Sequence, residues 1–467
     1  MALTLAVLGV EALLAVSIAD PRFEALLLAA IGAGALALVF RFPLPALACV
    51  VVLTASVFHE QFFGQGLGPG GLRPHELLLG ALLFVALARP KRRTWGGAAG
   101  MALALFLVLG VGCTLLAVSA GEVELNKAYQ WFRPFFLLTV FFVVVRLCAD
   151  AAAARRLLTA ATAVAGLSVV LAIVLAYGDG LDETFQDPGF QYIRQEEGIQ
   201  GFDRVRLPAV ALAYGLLFYA VGALLRSRGI ALVGWALSVT AFVIQLALSL
   251  NRNMWVGVAA GTAIVLALWS PKARGQLGMG LAVTAVALTC LLSLGQAGGL
   301  SSILEPFGER GLSVGSGLRS ESSLRDRERE TREAWQRLGE TPFIGIGAGT
   351  AYGSFTSAPT ESGTFERAPR LFVHNQYLYL GLVAGIPGVL CFLFFLFVVL
   401  RKAFGAEHRP PDLVACGVGV TMFAISALVM LSFSAYNMLT AVALLCGCIV
   451  VIAGETRGSS PGYEPAR

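Results

Sequence analysis

The sequence predicts an all-α polytopic membrane protein, and three observations carry that prediction. Of its 467 residues, 57% are hydrophobic and only 13% are charged, whereas a soluble domain is about half apolar and about a quarter charged. Apolar runs of roughly 17 to 25 residues recur from end to end, the length a helix needs to cross about 30 Å of hydrocarbon. Basic clusters punctuate these runs at alternate junctions, as cytoplasmic loops do under the positive-inside rule.

In chain order the candidate spans are 2–19, 23–40, 42–58, 74–88, 98–119, 128–147, 157–177, 207–225, 230–249, 254–269, 277–297, 375–400, 413–433 and 437–453. That makes about 12–14 transmembrane helices. The opening stretch "MALTLAVLGVEALLAVS" lacks the basic residues of a signal peptide and reads as a retained span. Glu11 interrupts the first span, and Pro43 and Pro45 the third. The basic clusters are "RPKRR" (89–93), "AARR" (153–156), "RSRG" (226–229), "SPKARG" (270–275) and "RKAFGAEHR" (401–409). Placed inside the cell, they alternate correctly through every span between them, and both termini lie inside. The chain then divides into an N-terminal bundle (1–297) with an outer loop at 178–206, a large outer loop (298–373), C-terminal helices (374–453) and a cytoplasmic tail (454–467).

The eight cysteines lie in or beside apolar spans, which argues against a disulfide framework or a zinc site. No Asp-x-Asp and no His/Glu cluster with ligand spacing falls on the outer face, so neither a metal nor another cofactor is expected. The membrane lipids are the expected surroundings, and nucleic acid is not among the expected partners.

Polar features gather on the outer face although they are far apart in sequence. One is the 178–206 loop. Another is the tight turn in "QLALSLNRNMWVGVAAG", where Arg252 stands between Asn251 and Asn253. An arginine beside hydrocarbon costs several kcal/mol unless it is paired. It could snorkel outward, pair with Asp203, Glu196 or Glu197, or bind an anionic ligand. The third feature is the 298–373 loop, which ends at His374, next to Asn375 and close to Tyr377 and Tyr379. His59 and His75 flank a glycine-rich outer loop as interfacial residues, and His408 sits in a basic cytoplasmic loop. On general grounds a lone boundary histidine such as His374 is more often structural than catalytic.

Within the long loop, "SESSLRDRERETREAWQRL" (320–338) opens with capping serines and predicts a helix. Leu324, Trp335 and Leu338 form its expected apolar stripe, with the charges solvated in i,i+4 pairs. "GETPFIGIGAGTAYGSF" follows, and its Pro342, Gly345, Gly347 and Gly349 predict a tight, close-packed turn. No strand precedes it as a dinucleotide fold requires. A flippase or other transporter would show repeats and ionisable residues at mid-membrane. Neither is visible, so that reading ranks below an enzyme acting at the outer face.

Three pieces in this order resemble the bacterial O-antigen ligase and polymerase superfamily, integral-membrane glycosyltransferases acting on lipid-linked glycans. They are the span ending "LSLNRNMWVG", the large outer loop with its Arg- and Trp-bearing helix followed by "PFIGIGAG", and "HNQYLYLGLVAGIPG", where Gly385 follows His374 after about three turns. The resemblance spans Arg204 to Gly388. Asparagine precedes Arg252 where serine is usual, and no threonine follows the motif glycine as it does in the ligases.

The resemblance implies a GT-C-like fold and an undecaprenyl-diphosphate-linked glycan as donor. Transfer would occur at the periplasmic face of a bacterial inner membrane. It also implies two arginines on the diphosphate and a histidine that activates the acceptor. Carried onto this chain, the histidine is His374 and one arginine is Arg252. "GFDRVRLP" offers both Arg204 and Arg206 for the other, and the sequence leaves both open. Asn251, Asn253 and Asn375 are the supporting residues. The acceptor implied is the lipid A core of a ligase or, alternatively, the glycan of a polymerase; a protein hydroxyl is also open. Guanidinium groups offer rigid bidentate donors to phosphate oxygens. A lipid diphosphate is a good leaving group once cations stabilise its developing charge, so a metal-independent reaction that inverts the anomeric carbon is expected.

Overall fold

The computed structural model describes residues 37, 39–54, 73–89, 95–178, 209–248, 252–268, 322–359, 365–405, 410–429 and 436–458. Their helices are α1 (Pro43–Thr54), α2 (Pro74–Ala88), α3 (Ala98–Ser119), α4 (Leu125–Phe132), α5 (Val140–Leu147), α6 (Ala151–Gly178), α7 (Val210–Arg226), α8 (Ile230–Leu248), α9 (Arg252–Leu268), α10 (Ser322–Glu340), α11 (Gln376–Phe404), α12 (Pro411–Ser426) and α13 (Tyr436–Gly458). A 3₁₀ stretch, Arg133–Thr139, joins α4 to α5 across Pro134. Five of these segments are long and apolar enough to cross a membrane and six shorter ones are apolar. The chain is an all-α, multi-pass membrane protein.

α3 and α11 run antiparallel against each other, with Phe106 packed on Phe392 (ring centroids 5.2 Å apart) and Gly110 facing Ala384. Basic residues collect at one end of the bundle. Arg155 Nε meets Asp412 Oδ2 at 2.9 Å and Arg226 pairs with the same carboxylate. Arg146 donates to the Arg89 carbonyl (2.9 Å) and lies 4.7 Å over the Trp95 ring. The opposite end, called here the loop end, carries α10, the start of α11 and a buried ion pair between Arg133 and Glu76.

Several sequence-based boundaries shift. α6 starts at Ala151, so Arg155 and Arg156 lie on a helix rather than in a loop. Pro43 and Pro45 sit in the first turn of α1, where a missing N–H breaks no intrahelical bond. The span expected to reach 433 ends at Ser426. The large loop is not purely helical, because β1 (Gly353–Pro359) and β2 (Phe365–Arg370) pair as an antiparallel hairpin with Gly353 opposite Arg370. The expected spans 2–19 and 277–297, residues 179–206 of the outer loop, His59 and His408 lie outside the described residues.

Candidate active site

α10 lies against the start of α11 with a face different from the one its leucines and tryptophan suggest. Trp335 is 68% exposed, whereas Ala334 and Leu338 are buried and Glu330 is buried with them. The spacing 330, 334, 338 is one helical face, and the carboxylate at its top is the exception to an otherwise apolar contact. The expected stripe through Trp335 is therefore wrong. Exposed i,i+4 pairs do form elsewhere on α10, as Arg332–Glu328 (2.9 Å) and Arg329–Glu333 (3.1 Å).

Glu330 meets His374. The backbone N–H of His374 donates to Glu330 Oε1 (2.5 Å), and the ring Nδ1 lies 2.8 Å from Oε2. The glutamate side chain is 4% exposed and the histidine side chain 36%. Arg370, buried at the end of β2, places Nη1 4.0 Å from Glu330 and Nε 3.7 Å from Glu333, so the buried carboxylate faces a cation. The hairpin fixes this arginine, because the Tyr352 N–H donates to the Arg370 carbonyl (3.1 Å). Burial, with the charge of Glu330 adding to it, pushes the Tyr352 phenol well above its ordinary pKa. It stays protonated and donates to the Phe372 carbonyl (2.8 Å). The Phe372 ring in turn stacks on Trp131 and stands edge-on to His374.

The chemistry follows from the pairing. A carboxylate only accepts hydrogen bonds, so the ring nitrogen facing Glu330 carries the proton and Nε2 is left as the basic nitrogen. A negative charge at Nδ1 also stabilises the imidazolium that forms if Nε2 takes a proton. Asn375 does not join this contact; its Oδ1 accepts from the Leu378 N–H (3.1 Å) as the N-cap of α11.

The glycine after the histidine has a mechanical part. α11 breaks at Gly385 (φ 67°, ψ 176°), two residues before Pro387. Residues 342–347 fill the break: the Ile346 N–H donates to the Leu382 carbonyl (2.6 Å), and the Ile386 N–H to the Pro342 carbonyl (2.7 Å). The predicted tight turn is borne out, with Gly345, Gly347 and Gly349 all at positive φ. A Cβ at Gly385 would lie 2.3 Å from the Phe343 carbonyl oxygen, and one at Gly345 would lie 2.5 Å from the Leu382 oxygen. Gly385→Ala is expected to cost at least about 1–3 kcal/mol in backbone strain alone. The thermal unfolding midpoint in detergent should fall, while Gly339→Ala, whose Cβ meets nothing within 4 Å, should leave it unchanged.

Arg252 opens α9. Its side chain, together with Asn251, Arg204 and Arg206, lies outside the described residues. The following residue locates that helix end: Asn253 Nδ2 donates to the Val429 carbonyl (3.5 Å), and its own carbonyl accepts from Ser426 Oγ (3.4 Å). The same turn meets α11, since the Gln376 N–H donates to the Ala427 carbonyl (2.8 Å). The start of α9 and the start of α11 thus flank one turn at the loop end. The fold brings Arg252 and His374 to the same end of the bundle across more than a hundred residues of sequence.

Glu330, Glu333 and Arg370 cluster with His374, and sequence reasoning missed them. In a helix where nearly every position is charged, nothing marks one glutamate as buried. The available signal was its place four and eight residues before Ala334 and Leu338.

Residues 236–393 match the family model described as O-Antigen ligase. That segment contains Arg252, Glu330, His374 and Gly385. No curated protein matches the chain.

Proposed function

From the premise that residues 236–393 belong to the O-antigen ligase/polymerase superfamily, we propose that this enzyme transfers a glycan from undecaprenyl diphosphate to a hydroxyl acceptor, with lipid A core as that acceptor. The observation that carries the reading is the buried carboxylate on His374 Nδ1, at the end of the bundle where Arg252 begins α9. His374 Nε2 takes the proton of the acceptor hydroxyl as its oxygen bonds to the anomeric carbon. The bond from that carbon to the diphosphate oxygen breaks, and the electron pair leaves with the diphosphate. Attack opposite the leaving group inverts the anomeric centre. Arg252, with Arg204 or Arg206, holds the diphosphate and stabilises the charge it gains. Glu330 keeps His374 in the tautomer that can accept the proton.

The gathering of Arg89, Arg146, Arg155 and Arg226 at the other end of the bundle supports a periplasmic site, because basic residues favour the cytoplasmic side. The membrane is then the bacterial inner membrane. Arg252→Lys keeps a positive charge but gives up the bidentate fork, so transfer should fall roughly tenfold at limiting donor. Unchanged transfer by the lysine variant would remove Arg252 from the diphosphate site.

The acceptor is tested in a deletion strain by analysing lipid-linked glycans and lipopolysaccharide together. Long chains retained on the lipid carrier beside bare lipid A core are expected. Single repeat units accumulating on the carrier would instead make the enzyme a polymerase that uses another lipid-linked glycan as acceptor.

A further inference from the structure

We infer that residues 342–347 form a re-entrant wedge that dips into the outer-leaflet hydrocarbon, with Phe343 and Ile344 as its lipid-facing anchor. The inference rests on the course of the chain and is independent of the proposed chemistry.

α10 and α11 descend side by side. Glu330 meets His374 above the start of α11, Leu338 lies against Gly381, and Phe343 lies against Gly385. Gly385 is about 13 Å along the helix from Gln376 at about 1.5 Å per residue. On the neighbouring helix the same segment reaches Thr114, whose Oγ1 accepts from the Ala348 N–H (3.1 Å). Thr114 lies about 7 Å below the end of α3 at Ser119 by the same rise. Arg337 marks the polar boundary above, 3.6 Å from Glu122 in the turn after α3. From Thr341 to Thr350 the chain carries no charge.

Irregular backbone is tolerated at membrane depth only where its polar groups are satisfied. The inner half of the wedge meets that condition through the α11 break: the N–H groups of Ile346 and Gly347 reach Leu382, that of Ile386 reaches Pro342, and that of Gly345 bonds back to Thr341. The side chains then divide. Ile346 and Ala348 are buried in the bundle, while Phe343 is 75% and Ile344 52% exposed. At this level and one turn further along, α11 exposes Ile386 and Leu390 on an apolar surface. Two large apolar side chains continuing that surface fit acyl chains, as interfacial anchors do. The exposed Trp335, about two turns earlier on α10, suits the headgroup level where tryptophan concentrates.

The test uses the full chain in vesicles of pure phosphatidylcholine, with the photoreactive p-benzoylphenylalanine placed at Phe343. Illumination should give a phospholipid adduct by mass spectrometry, at a yield like that from the same probe at Phe394, an exposed site on α11. The yield should be several-fold above that at Arg329, which is exposed on the charged face of α10. The probe at Ile344 should behave as at Phe343, and serves if the first variant fails to fold. A yield no higher than at Arg329, or cross-linking only within the chain, would overturn the inference. So would loss of the phospholipid adduct on adding polyprenyl diphosphate, because the surface would then belong to the donor chain. Catalytic inactivity with an intact lipid adduct would count against the glycosyltransfer reading alone.

Discussion

His374→Ala is expected to lower transfer by about 10² to 10⁴-fold, the usual contribution of a positioned general base. The acceptor hydroxyl is a poor nucleophile, and the fold leaves Nε2 as the basic nitrogen by engaging Nδ1 with Glu330. The loss should fall on kcat, with the apparent affinity for donor nearly unchanged, because the diphosphate is held by the arginines. His374→Gln retains a polar side chain but cannot carry the proton away, so it should be nearly as slow. Steady-state assays of purified protein at varied donor and acceptor check this. Near-normal turnover by the glutamine variant would make His374 a residue that orients the acceptor, with the base elsewhere.

Glu330→Gln should reproduce much of that loss, again about 10² to 10⁴-fold in kcat, by analogy with amide replacement of the carboxylate behind a catalytic histidine. The side chain keeps its volume and can still accept from the His374 N–H, so the unfolding midpoint should change little. What disappears is the charge that favours the Nδ1–H tautomer of the neutral ring and stabilises the imidazolium formed from it. Glu330→Ala should do more damage. It strips the acceptor from the His374 N–H and leaves Arg370 with a weaker set of partners, Glu333 at 3.7 Å among them. Breaking a buried ion pair from one side typically costs about 3–5 kcal/mol. A double-mutant cycle separates positioning from packing: in a His374→Ala background, Glu330→Gln should lower kcat no further. A full additional loss there would show that Glu330 acts on something other than the histidine.

Not every residue of the candidate site is equally visible in the sequence. His374 and Arg252 stand at the junctions of apolar runs, where a polar residue is conspicuous because hydrocarbon penalises it. The spans themselves are legible for the same reason, as length and composition suffice when the bilayer is the solvent. α3 shows this best, since its prediction as 98–119 and its observed limits Ala98–Ser119 agree. Glu330 was not legible. It is one of many charges on an amphipathic helix at the water boundary, and which of them is buried depends on how that helix is laid against α11.

By itself the sequence determined that the chain crosses the membrane many times, and which residues interrupt its apolar runs. It also marked, through its glycines at 345, 347 and 349, a tight, close-packed turn after the outer helix. Tertiary structure alone decided that α10 turns Glu330 inward rather than Trp335, that a hairpin delivers Arg370 to the same carboxylate, and that a break in α11 is filled by the loop before it. The physical reason is range. Burial in lipid is a local property of composition, readable in a window of twenty residues. A carboxylate's partner is a long-range property, fixed only when the chain places position 330 within hydrogen-bond reach of position 374.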